Sequence, residues 1–165
     1  MEPYKLRRWR SRLNNRLEIY TCARPGRSRG ADGAVSDSIV DNWIKGLPGE
    51  GKVTIVSLLG RKPNGDSEFK FYSFHGKSDT ASERKKKPSF QEWIDRRNYD
   101  RSIQVIEHPT QDFRPILTET ADAVSIDVQA QLDRGSCVVL VDSGGETRTR
   151  KICSLMHYAE DSSAS

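Results

Sequence analysis

The stretch that most constrains this chain is residues 138–156, VVLVDSGGETRTRKICSLM. The apolar run at residues 136–141 (SCVVLV) has the length and continuity of a strand buried on both faces. It breaks at Asp142 into a loop, residues 143–147, that carries Gly144 and Gly145. The chain then resumes with Ile152, Leu155, Met156 and Ala159 on one face of a helix. Such a strand needs neighbours on either side and helices above and below, so the chain is directed to an α/β architecture. A loop of this kind also concentrates backbone N–H groups at the positive end of the following helix, where Arg148 adds a planar fork of donors. That combination suits an anion, phosphate above all.

Hydrophobic periods along the rest of the chain agree. Residues 16–22 (RLEIYTC), 52–59 (KVTIVSLL), 68–74 (EFKFYSF) and 102–107 read as strands. Residues 36–47 place Ile39, Val40, Trp43, Ile44 and Leu47 on one helical face, with Ser36 or Asp37 as the cap. Residues 90–97 suit a short helix, and a longer one from Leu117 carries Ala121, Val124, Val128 and Leu132 before Gly135 stops it. The polar, basic residues 76–87 read as a mobile insertion. The expected result is a single domain over residues 16–160, with a basic segment at 1–15 and a tail at 161–165. Its expected core is a mostly parallel sheet of about five strands flanked by helices.

With 27 Lys and Arg against 23 Asp and Glu, the net charge of +4 favours an anionic ligand only weakly. The basic residues concentrate at 5–16 and 84–87; such runs are commonly solvated, with nucleic acid or acidic lipid as the alternative partner. Cys22, Cys137 and Cys153 are an odd number without C-x-x-C spacing, so neither a disulfide framework nor a metal site is expected, and no cofactor motif is present. Free thiols fit a reducing compartment, and no stretch approaches the roughly 20 apolar residues of a membrane span, so the expected location is the cytoplasm.

In register, Gly145, Arg148 and Thr149 make the segment resemble the phosphate-binding signature of cysteine-dependent tyrosine and dual-specificity phosphatases, His-Cys-x-x-Gly-x-x-Arg-Ser/Thr. Residues 108–116, HPTQDFRPI, resemble the loop that carries the family's general-acid aspartate, with Asp112 standing 30 residues before Asp142. The CARPG segment and residues 52–59 resemble the start of small dual-specificity phosphatases. The resemblance implies that Ser143, Gly144, Gly145, Glu146, Thr147 and Arg148 surround a phosphate, that Asp112 is the general acid, and that Thr149 assists the nucleophile. It implies a phosphorylated protein or another phosphomonoester as partner and a family fold of dual-specificity type.

Two positions depart from that pattern: Val141 replaces the histidine and Asp142 the nucleophilic cysteine. A carboxylate is a weaker nucleophile and repels a phosphate; at about 4 Å two unit charges repel by roughly 4 kcal/mol at an effective dielectric of about 20. The expected function is therefore binding of phosphate or a phosphorylated ligand without cysteine-based hydrolysis. The alternatives are an engineered inactive form of an active phosphomonoesterase, an enzyme using Asp142 as a base towards water, and a basic module for nucleic acid or acidic lipid. Asp142 is expected to turn inward, either accepting loop N–H bonds or pairing with Arg148.

Overall fold

The β-branched runs pair into one sheet. A computed structural model describes residues 2–29, 35–69, 71 and 80–161. Its strands are β1 (Arg7–Ser11), β2 (Glu18–Ala23), β3 (Lys52–Ser57), β4 (Ser102–Glu107), β5 (Cys137–Asp142) and β6 (Tyr158–Glu160), in spatial order β4-β3-β5-β2-β1-β6. Strands β4, β3, β5 and β2 are mutually parallel, whereas β1 runs antiparallel to both β2 and β6. The sheet is thus mixed and six-stranded, in place of about five mostly parallel strands.

Helices cover both faces because β5, near the middle, is apolar on both. Val139 and Val141 pack on one side with α1 (Asp37–Lys45) and α3 (Phe90–Arg97), through Trp43, Ile44, Phe90 and Ile94. Val138 and Leu140 pack on the other with α4 (Thr118–Asp133) and α5 (Arg148–Leu155), through Val124, Val128, Ile152 and Cys153. The Ser36 hydroxyl caps α1 by accepting the Ile39 N–H, and Ser89 with Glu92 forms a reciprocal capping box on α3. Past the end of α4, Gly135 takes a left-handed φ of +78°. The Ser136 and Gly135 N–H groups then close back onto the Gln131 and Leu132 carbonyls, delivering the chain into β5.

Several elements differ from the sequence expectation. The basic N-terminal stretch contains β1, inside the sheet, because its side chains alternate: Trp9 enters the core while Arg8 and Arg10 face Glu18 and Asp161. Helix α5 ends at Leu155, and Ala159 belongs to β6, since the chain reverses at His157 with φ +63°. The buried side of α5 is consequently Arg148, Thr149, Ile152 and Cys153, with Leu155 exposed. Of the strand expected at 68–74, Glu68, Phe69 and Phe71 lie outside any strand and the remaining positions lie outside the described residues. Within the insertion expected at 76–87, the described part contains α2 (Ala81–Lys86), and residues 76–79 lie outside the described set. Among the described residues no helix is long and apolar enough to cross a membrane.

Parallel pairing aligns the strand ends. Ala23 stands opposite Asp142, Ser57 opposite Val141, and Glu107 opposite Ser57. The loops that follow β2, β3, β4 and β5 therefore gather at one edge of the sheet, the edge where open α/β sheets form their binding crevices.

Candidate phosphate-type loop

Asp142 closes β5 and turns its carboxylate into the loop that follows, where it is 1% exposed. Its Oδ1 accepts the Gly145 N–H in a short bond. Its Oδ2 accepts the N–H groups of Arg148 and Thr149, both at 3.0 Å. The latter two are the first N–H groups of α5, which have no partner within the helix. Thr147, at the N-cap position, makes no side-chain bond to them, so Asp142 caps α5 from six residues upstream. A carboxylate at a helix N-terminus is favoured both by the dipole and by charge-assisted bonds. Gly145 allows the loop to curl so tightly: its φ is +73°, and an added Cβ would lie 2.6 Å from the Ala23 nitrogen.

The Arg148 guanidinium leaves this cradle and reaches across to the neighbouring loops. It donates to both carboxylate oxygens of Glu68, Nη1 to Oε1 at 2.7 Å and Nη2 to Oε2 at 2.8 Å. Nη1 also donates to Thr110 Oγ1 at 2.9 Å and to the Leu58 carbonyl at 3.3 Å. The Thr110 hydroxyl donates in turn to that carbonyl at 2.6 Å, locking the connection after β4 to the one after β3. Asp112 arrives by the same route: its N–H bonds the Arg61 carbonyl at 2.9 Å, and its Oδ1 lies 3.7 Å from Arg148 Nη2.

Two carboxylates, those of Glu68 and Asp112, thus flank the guanidinium, and Asp142, bonded to the Arg148 backbone N–H, adds its field. Burial pushes the Glu68 carboxyl above its ordinary pKa; the bonds from Arg148 oppose the rise, and the nearby Asp112 and Asp142 add to it. Burial also works against the Arg148 cation, but its bonds to Glu68 and the fields of Asp142 and Asp112 hold its pKa above that of a free arginine. The cation persists, and both of its terminal nitrogens are engaged by protein acceptors. None of the thiols substitutes for a nucleophile: Cys22 and Cys153 are buried, and burial raises their pKa, further helped at Cys22 by Asp142.

Of the residues singled out from sequence, the fold brings Asp142, Gly145, Arg148, Thr149 and Asp112 together. Ser143 and Gly144 form the outer turn of the loop, while Glu146 and Thr147 are exposed. Glu146 faces away from the cradle towards the N-terminal segment, pairing with Lys5 at 3.1 Å and Arg7 at 3.5 Å. The Thr149 hydroxyl is fully buried and has no hydrogen-bond partner among the described residues. Glu68 and Thr110 were not anticipated. The only trace of Glu68 is an acidic residue heading the alternating run FKFYSF, a pattern shared by many strand ends. A cavity of about 340 Å³ lies beside Thr110, between Gly60, Arg61, Pro109 and Gln111. The larger one, about 730 Å³, is formed by Ile44, Tyr99 and Arg101 between α1 and the end of α3, away from the loop. Compared with family models, curated proteins and solved structures, the chain matches none.

Proposed function

We propose that this chain is a phosphatase-like α/β domain, of the dual-specificity type, whose phosphate loop is closed by its own carboxylate and which does not hydrolyse phosphomonoesters through a thiol. The observation that carries this is the buried Asp142 carboxylate on the Gly145, Arg148 and Thr149 N–H groups. Those donors are what a phosphate would need, and an internal anion already satisfies them. A phosphorylated ligand must displace Asp142 or bind beside it, against the combined charge of Asp112, Glu68 and Asp142. Affinity of the loop for phosphate is accordingly low in this chain and rises once the carboxylate is removed. In this reading the domain is a cytoplasmic protein that acts by binding a phosphorylated protein or other phosphomonoester, at a site where Asp142 sets the threshold.

The test compares the unmodified chain with Asp142→Cys in hydrolysis of a small aryl phosphate and in binding of inorganic phosphate. The unmodified chain is expected to show no turnover and only weak binding of inorganic phosphate, which lacks the contacts that the rest of a phosphorylated ligand would add. Asp142→Cys places a thiol against loop N–H groups and a helix N-terminus, which favour the thiolate, so weak hydrolysis is expected, limited by the commitment of Arg148 to Glu68. Turnover by the unmodified chain, or a folded Asp142→Cys that neither binds phosphate nor hydrolyses the ester, would overturn the proposal.

A further inference from the structure

At the opposite end of the sheet from Asp142, the connection between β1 and β2 forms a protrusion held by its own hydrogen bonds. The Ser11 hydroxyl accepts the Leu13 and Asn14 N–H groups at 3.2 and 3.1 Å. Asn14 Oδ1 accepts the Arg16 N–H at 3.1 Å, and the Asn14 carbonyl accepts the Leu17 N–H at 3.0 Å. Arg10 Nη1 adds a bond to the Asn15 carbonyl at 3.2 Å. This ordered tip presents Leu13, 79% exposed, between Arg12 and Arg16. The Arg12 N–H bonds the His157 carbonyl at 2.8 Å, which ties the tip to the turn between α5 and β6. Just before that turn, the last residue of α5 is a second exposed leucine, Leu155, and Lys151 lies one helical turn away on the same face of the helix.

The cations of this end are distinct from those of β1. Arg7, Arg8 and Arg10 are engaged by Glu18, Glu146, Glu160 and Asp161. The side chains of Arg12, Arg16 and Lys151 form no ion pair among the described residues. Two exposed leucines framed by uncommitted cations complement a surface that is apolar below and anionic above. We infer that the tip carrying Leu13, together with Leu155 and the cations Arg12, Arg16 and Lys151, is a docking surface for an anionic lipid bilayer. Nucleic acid fits less well: leucine gains little against a phosphodiester, no exposed Phe, Tyr or Trp among the described residues of the tip or the turn offers a stacking platform beyond the single imidazole of His157, and three cations release few counterions. On a bilayer, each arginine near the anionic headgroups and each leucine at the acyl boundary adds to retention.

The experiment is co-sedimentation of the full chain with phosphatidylcholine vesicles, with and without phosphatidylserine, at low and high salt. Binding is expected only to the phosphatidylserine vesicles, and to weaken with salt. Arg12→Gln with Arg16→Gln should lower the partition coefficient by roughly thirty-fold, and Leu13→Ser by roughly tenfold. All three side chains are exposed, so circular dichroism and the melting temperature should be unchanged. Equal sedimentation with neutral vesicles, absence of binding to acidic ones, or retention indifferent to both variants would overturn the inference. Salt-dependent binding to duplex DNA that Leu13→Ser leaves intact, without vesicle binding, would also overturn it and reassign the surface to nucleic acid.

Discussion

Asp142 is where this chain departs from the phosphate-binding signature on which the proposed function rests, and the departure has a defined physical content. A carboxylate that accepts three loop N–H groups performs part of the work a bound phosphate does: it neutralises the positive end of α5 and fixes the loop. Replacing it with alanine leaves buried donors unsatisfied, at about 1–3 kcal/mol for each that water cannot reach. Asp142→Ala should therefore lose on the order of 3 kcal/mol in denaturant unfolding. Millimolar sulfate should restore part of that loss in the variant and none in the unmodified chain, because an anion binding only the folded loop stabilises by mass action. Equal sulfate responses would show that the carboxylate does not occupy the anion position. Glu68 has the complementary role: Glu68→Gln would leave the buried Arg148 charge without its bidentate partner. A loss of about 3–5 kcal/mol is expected, and full stability in the same assay would show that Thr110, Leu58 and Asp112 suffice to hold the guanidinium.

Among the elements, the unit of β5, loop and α5 depends on a backbone path that glycine alone follows easily. Gly145 combines φ +73° with a Cβ position 2.6 Å from backbone, whereas Gly144 has open space around it. Gly145→Ala should cost upwards of about 2 kcal/mol and disturb the Asp142 cap, while Gly144→Ala should stay within about 0.5 kcal/mol; thermal melts of the pair decide it. On the other face, α1 is joined to the segment just after α3 by the Tyr99 hydroxyl, which donates to Asp41 Oδ1 at 2.8 Å. Burial, together with that bond and the Asp41 charge, pushes the Tyr99 pKa up to about 12. The neutral phenol is thus favoured by folding, so its contribution is complete below about pH 10 and is lost as pH rises through about 12. Stability measured across that window should fall more for the unmodified chain than for Tyr99→Phe; parallel curves would exclude the link.

Taken as a whole, the molecule has a core divided by the sheet, and its thiols report on both halves. Cys22 belongs to the cluster under α1 and α3, Cys153 to the one under α4 and α5, and Cys137 lies half-buried at the start of β5. Burial pushes the Cys137 pKa up to about 11. At about pH 7.5 none should be appreciably thiolate. Native-state alkylation should reach Cys137 first, through local opening, and Cys22 and Cys153 only with global unfolding, at matching rates. Rapid modification of Cys22 or Cys153 in the folded protein would show that one of the two layers opens independently.

Periodicity in the sequence was sufficient for β3, β4, β5, α1, α3 and α4, because each buries side chains at the spacing of its own geometry. The loop between β5 and α5 was legible through glycine, arginine and hydroxyl at spacings a local backbone can use directly, but the buried face of α5 was not, since Leu155 is exposed and Ala159 lies in β6. What sequence alone left open depends on partners distant along the chain. Strand β1 reads as a charged tail until Glu18, Glu146, Glu160 and Asp161 are brought opposite its arginines. Strand β6 is three residues long and becomes a strand only by pairing with β1. The direction of Arg148 was decided by Glu68, 80 residues away, which supplies a buried carboxylate where the sequence shows only one acidic residue among many. Local rules thus determined that Asp142 turns onto N–H groups three to seven residues further along the chain, whereas tertiary packing decided that Glu68 and not Asp142 holds the arginine, since long-range charge pairing leaves no periodic trace in the chain.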